Sequence, residues 1–73
     1  MLGRPPLPLP NPPNRIREIR LTLRLTQSEL GQRVNVSAET IRKWETGENA
    51  ISVSRLEQLA GVLHVRPQTL MNA

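Results

Sequence analysis

The chain has 73 residues, with ten Lys and Arg against six Glu, no Asp and no Cys, for a net charge of +4. That length admits one small domain, and the lack of cysteine excludes a disulfide framework or a cysteine-type zinc site. It also leaves little room for a catalytic cleft, and the single histidine, His64, cannot build a metal cage or a triad.

Six of the seven prolines lie between Pro5 and Pro13. A proline run donates no helix or ladder hydrogen bonds, so residues 1–13 read as a disordered, polyproline-II-prone arm. At about 3.1 Å per residue, Pro5 to Pro13 would reach roughly 28 Å. Three uses stay open. The arm can be a plain tail, or carry Arg4 into a DNA minor groove, or offer P-x-x-P spacings (Pro5–Pro8, Pro10–Pro13) to a protein partner. The foldable part is residues 14–73, and a domain of that size buries only about 60% of its unfolded surface. Dimerisation is one way to offset that margin.

From Asn14 the pattern turns helical. Asn14 can cap a helix beginning at Arg15. Ile16, Ile19 and Leu23 share one face, Leu21 and Leu25 add a neighbouring stripe, and Arg17, Arg20 and Arg24 form another row. Thr26 followed by Glu29 is a capping box that starts a second helix, about 27–34, with Leu30 and Val34 as its apolar pair. Asn35 tolerates the left-handed conformation that ends it. Ser37 caps a third helix, about 38–46, with Ile41 and Trp44 inward and Gly47 as its stop. Ser52 or Ser54 caps a fourth, carrying Leu56, Leu59, Ala60 and Leu63 on one face. Pro67 suits the first position of a short fifth helix, 67–71. No stretch alternates with period two, so the expected architecture is all-α, five short helices with tight connections.

The informative stretch is 27–46. Two short helices meet at Asn35-Val36-Ser37, and the second keeps Ile41 and Trp44 for the core while exposing Ala38, Glu39, Arg42 and Lys43. That is the geometry of a helix-turn-helix, whose second helix lies in the major groove. Gly31 lets the two helices cross closely. Nine of the ten basic residues are Arg, whose planar fork suits phosphate and guanine. Trp44 is the only aromatic residue, which disfavours single-strand binding by base stacking. No apolar run approaches the ~20 residues needed to span a bilayer, and prolines interrupt the first leucines, so a cytoplasmic location is expected.

The stretch TQSELGQRVNVSAETIRKWETGE resembles the helix-turn-helix of the phage-repressor and Cro-like transcription regulators, the lambda-repressor-like DNA-binding domains. Thr26, Gln27, Glu29, Leu30, Val36, Ser37, Thr40, Ile41, Trp44, Glu45 and Gly47 carry the motif. Ile16, Ile19, Arg20 and Leu25 fit that family's first helix, and Leu59, Ala60, Leu63, Val65 and Leu70 its last two. Four positions depart from it. Asn35 stands where Gly is usual in the turn, Gly31 replaces the usual Ala, Arg24 replaces a frequent Gly, and the loop at Glu48-Asn49 lacks the usual basic residue.

The resemblance implies a sequence-specific, double-stranded DNA-binding transcription regulator, a repressor of bacterial or phage type, with no enzymatic activity, cofactor or metal. It implies that Gln27 meets a phosphate at a helix N-terminus, and that Ser37 and Thr40 face the DNA backbone or a base. Ala38 would touch a thymine methyl, Glu39 cytosine N4, and Arg42 or Lys43 guanine. Arg20 and Glu45 would form a partly buried ion pair tying the first helix to the third. Operators built as inverted repeats imply a homodimer. Val62, His64, Val65, Pro67, Leu70 and Met71 are the candidate interface, with Leu21 and Leu23 as a second patch. The alternative is an antitoxin or adaptor of a toxin–antitoxin pair, which binds a protein partner, through the arm, as well as its own operator.

Overall fold

The computed structural model describes residues 13–71. The proline arm therefore lies outside the described residues, apart from Pro13. Five helices follow one another: α1 (Ile16–Thr22), α2 (Gln27–Val34), α3 (Ala38–Thr46), α4 (Val53–Leu63) and α5 (Pro67–Met71). No strand occurs among the described residues. The all-α expectation, with five helices, holds.

Local capping chemistry sets most of the boundaries. Thr26 Oγ1 accepts from the Glu29 backbone N–H at 3.0 Å, and Glu29 Oε1 accepts from the Thr26 N–H at 2.8 Å, closing the capping box. Ser37 caps α3 through the Thr40 N–H at 3.1 Å. Ser52, and not Ser54, caps α4 through the Arg55 N–H at 3.1 Å. Each cap satisfies one of the backbone donors that a helix start leaves without a partner.

The first helix begins one residue later than the sequence implies. Arg15 is its cap position and makes no side-chain cap bond. Asn14 is buried instead, and its side chain works in two directions. Its Oδ1 accepts from the Ile16 N–H at 3.1 Å, while its Nδ2 donates to the Trp44 carbonyl at 2.9 Å. The Arg15 N–H donates to the Leu70 carbonyl at 2.7 Å. The start of α1 is thus stapled to both α3 and α5, which is why Asn14 is drawn inward.

Three helices end on a left-handed residue that is not glycine: Arg24 (φ 59°), Asn35 (φ 59°) and His64 (φ 60°). Around Arg24 the Leu25 N–H reaches the Arg20 carbonyl at 3.1 Å and the Arg24 N–H the Leu21 carbonyl at 2.9 Å. This is a Schellman closure, which normally favours glycine at the left-handed site. Replacing Arg24 with Gly is therefore expected to stabilise the domain by about 0.5–1 kcal/mol, relief of the left-handed cost being partly offset by a freer unfolded chain. A thermal melt should show a rise of several degrees, and an unchanged or lowered midpoint contradicts the strain at Arg24.

The closure also explains an expectation that failed. Helical spacing puts Leu23 on the apolar face with Ile16 and Ile19, but it lies at the cap after α1, where the chain reverses, and is 43% exposed. Leu25, carried inward by the turn, is buried in its place.

The core is one cluster: Ile16, Leu25, Leu30, Val34, Ile41, Trp44, Leu59, Ala60, Leu63 and Leu70. The most extensive packing joins α2 to α3. At their crossing a Cβ on Gly31 would lie 2.5 Å from the Val36 carbonyl oxygen. Backbone must shift to admit any side chain there. Gly31→Val is expected to cost about 1–3 kcal/mol as overpacking. Amide shifts from Val36 to Thr40 would report the displaced turn, and a well-packed, equally stable variant would refute the close-approach role.

Candidate nucleic-acid interface

The pair α2–α3 is held in one orientation by a buried ionic network. Glu45 comes from α3 and Arg20 from α1, with side chains only 3% and 7% exposed. Arg20 Nε donates to Glu45 Oε2 at 2.6 Å and Nη2 to Oε1 at 3.2 Å. The remaining guanidinium edge donates from Nη1 to the Leu25 carbonyl at 2.8 Å. Gln27, the first residue of α2, donates from Nε2 to Glu45 Oε1 at 3.1 Å. No buried side-chain nitrogen or oxygen among the described residues lacks a partner. A buried charge tolerates low dielectric only when satisfied in this way. The Glu45 carboxylate joins α1, α2 and α3, and the Arg20 guanidinium ties the α1–α2 turn to it.

On the other side of α3 the polar residues remain accessible. Ser37 and Glu39 are exposed, while Ala38, Thr40, Arg42 and Lys43 are half-buried. Ile41 and Trp44 of the same helix are in the core. Ser37 and Thr40 also share a hydroxyl–hydroxyl contact of 3.0 Å, so both are organised around the start of α3. Of the residues assigned to the DNA face, Gln27 stands apart, because its amide donates one hydrogen bond inward to Glu45.

Arg42 is engaged more fully than the sequence indicates. Its Nε and Nη2 donate to the two oxygens of Glu39 at 2.9 and 2.8 Å. Its Nη1 donates to Glu48 Oε2 at 2.8 Å. Glu48 is in turn anchored by Thr46, whose hydroxyl donates to Oε2 at 3.0 Å. The Arg42 bonds hold the Glu39 carboxyl below its ordinary pKa, and Arg42 followed by Thr46 does the same for Glu48. The two carboxylates raise the Arg42 pKa in return, Glu39 more than Glu48. Because folding lowers the carboxyl pKa values, these contacts persist at neutral pH and are lost as pH falls through the lowered values. Spacing on α3 makes the Glu39–Arg42 contact readable in sequence. The Glu48 contact was missed, because it depends on the turn at Gly47.

Arg17, Arg24, Arg33 and Arg66 are exposed, and none has a carboxylate within 4 Å among the described residues. No group of His, Cys, Asp or Glu among the described residues could hold a metal ion. No helix among them is long and apolar enough to cross a membrane.

The suggested dimer residues divide. His64 and Met71 are exposed, and Val62 and Val65 are half-buried against the core. Leu70 is fully buried within the monomer and has no surface to offer a partner. The α1–α5 staple and the packing of α5 on α4 place it there.

Two capped helices joined by a three-residue turn that opens on left-handed Asn35, with the second helix exposing its polar face, form the local architecture. A helix-turn-helix family model matches residues 16–70, almost all of the described chain. The chain belongs to this helix-turn-helix family, of the Cro/C1 type. Its curated relatives carry the same kind of name. One from Rhodospirillum rubrum, an uncharacterized transcriptional regulator in the ATPase CF(0) region, is 45% identical over 51 residues, covering 70% of this chain and 47% of its own. The uncharacterized HTH-type transcriptional regulator y4aM of Sinorhizobium fredii is 34% identical over 53 residues, covering 73% of this chain and 37% of its own. A further regulator, R00410 of Rhizobium meliloti, is 35% identical over 52 residues, with 71% and 37% covered. The chain thus spans less than half the length of these helix-turn-helix relatives. No solved structure matches it.

Proposed function

We propose that the chain is a sequence-specific double-stranded DNA-binding transcription regulator that acts as a repressor and reads the major groove with α3. The observation that carries this reading is the two-sidedness of α3. Ile41, Trp44 and Glu45 anchor it inside, while Ser37, Glu39, Arg42 and Lys43 remain available on the accessible side. A helix offered in this way, on a scaffold locked by Arg20–Glu45, suits insertion into a groove about 12 Å wide.

Roles follow from chemistry. Ser37 and Thr40 meet the DNA backbone near the start of α3, Ala38 a thymine methyl, and Arg42 or Lys43 guanine O6 and N7. Gln27 can offer a phosphate the second N–H of the amide that it shares with Glu45. One short helix reads few base pairs, so a homodimer on two half-sites about 34 Å apart supplies the remaining specificity. His64, which ends α4, and Met71 of α5 are the exposed residues suited to that role, with Val62 and Val65 half-buried beside them.

Selection of duplexes from a randomised pool tests the reading. A preferred sequence should emerge, and its affinity should fall with salt at about −0.9 in log–log slope for each phosphate neutralised. Equal affinity for selected and scrambled duplexes would overturn it.

A further inference from the structure

The geometry points to Glu48 as an internal competitor for Arg42, a residue that sets DNA affinity by occupying the guanidinium edge that would otherwise read a base. This rests on the proposed role of α3. The guanidinium has two usable edges. Glu39 takes the side edge through Nε and Nη2, one helical turn away on α3 itself. Glu48 faces the end edge, at 2.8 Å from Nη1 and 3.5 Å from Nη2. Two acceptors in a plane are what guanine presents through O6 and N7. The Glu48 carboxylate therefore stands where a guanine edge would stand.

The two carboxylates differ in how they are held. Glu39 follows the helix at i−3 from Arg42, so its contact aims the guanidinium. Glu48 lies beyond the left-handed Gly47 (φ 83°) in the loop after α3, fixed by its bond from Thr46. Arg42, Glu39 and Glu48 are all solvent-accessible, with side chains 39%, 59% and 50% exposed, so the end-edge contact exchanges readily with an incoming acceptor. Docking on DNA would exchange Glu48 for the base and leave Glu39 in place as the buttress. The exchange lowers affinity, because the Arg42–Glu48 contact is lost and an unpaired carboxylate is left near phosphates. Glu39, Arg42, Lys43 and Glu48 together carry no net charge, in a chain whose overall charge is +4.

A double-mutant cycle tests this on the full chain, with a duplex selected by the wild type from a randomised pool as the probe. Glu48→Gln should bind that duplex roughly threefold to tenfold more tightly, the range expected when a competing exposed ion pair and a nearby like charge are removed. In the Arg42→Gln background the same change should gain less than twofold, because the competition acts through Arg42. Base preference at the position lost in Arg42→Gln should be retained in Glu48→Gln. Equal gains in both backgrounds would mean simple charge repulsion, and no gain would mean no competition; either result overturns the proposal. If the wild type selects no sequence, the DNA-binding reading and this inference fall together. If it selects one and Glu48→Gln binds no tighter, only the inference falls. Thermal melts of each variant check that folding is unchanged.

Discussion

Replacing Glu45 with alanine is expected to destabilise the domain by about 3–5 kcal/mol, the cost of leaving a buried guanidinium without its counter-charge. Arg20 is 6% exposed and would keep only its bond to the Leu25 carbonyl. Gln27 would lose its acceptor as well. A domain with so few residues has a total stability at the low end of about 5–15 kcal/mol, so most of its margin would be gone. Urea denaturation should show a midpoint near zero denaturant, or a chain already unfolded in buffer. Replacing both partners together, Arg20→Met with Glu45→Leu, should cost much less, since no charge is then stranded. A loss below about 1 kcal/mol for Glu45→Ala would mean that water reaches Arg20 and that the network does not hold α3.

Arg42→Ala is expected to weaken binding of a selected duplex roughly fivefold to 150-fold, the range for losing one bidentate contact to guanine. Its melting midpoint should change little, because its carboxylate contacts are solvent-exposed. The loss should concentrate at one base-pair position, where the variant accepts any base. With Arg42 as the reader of guanine, Lys43→Ala, by contrast, is expected to weaken selected and scrambled duplexes alike and to make the salt slope shallower, as loss of a general positive charge near the backbone does. Competition assays against single-base variants of the selected site separate the two patterns. A uniform loss for Arg42→Ala would move that residue from base reading to backbone contact.

Both experiments probe one division of labour within α3. Glu45 looks inward and fixes where the helix sits, while Arg42 looks outward. Arg42 and Glu45, at i and i+3, are neighbours around the helix, so the boundary between the buried network and the accessible side runs between them: Glu45 is 5% exposed and Arg42 half-buried.

Local chemistry made much of the fold legible. Thr26 with Glu29, Ser37 and Ser52 each act over three residues, a distance that the helical backbone sets by itself. Asn35 and Gly47 end their helices because their backbones tolerate the left-handed region. The apolar spacing of Leu59, Ala60 and Leu63 likewise defines a buried face without reference to the rest of the chain. The family pattern over 26–47 was visible for the same reason, since capping and turn residues recur at fixed offsets.

Contacts that cross between elements were not legible in this way. Asn14 reads as a cap, yet its amide reaches Trp44, thirty residues on. Leu23 fits an apolar stripe but falls where the Schellman turn redirects the chain outward. Leu70 looks available to a partner until α1 and α4 close over it. Gln27 and Glu48 carry no signal of their partners, Glu45 and Arg42, because those distances depend on the α2–α3 crossing and on the turn after α3. Sequence by itself determined the helices, their ends and the two-helix motif, all set by hydrogen bonds within four or five residues. Only the tertiary structure decided which charges meet, because a side chain's partner is fixed by where the next helix packs and not by its own repeat.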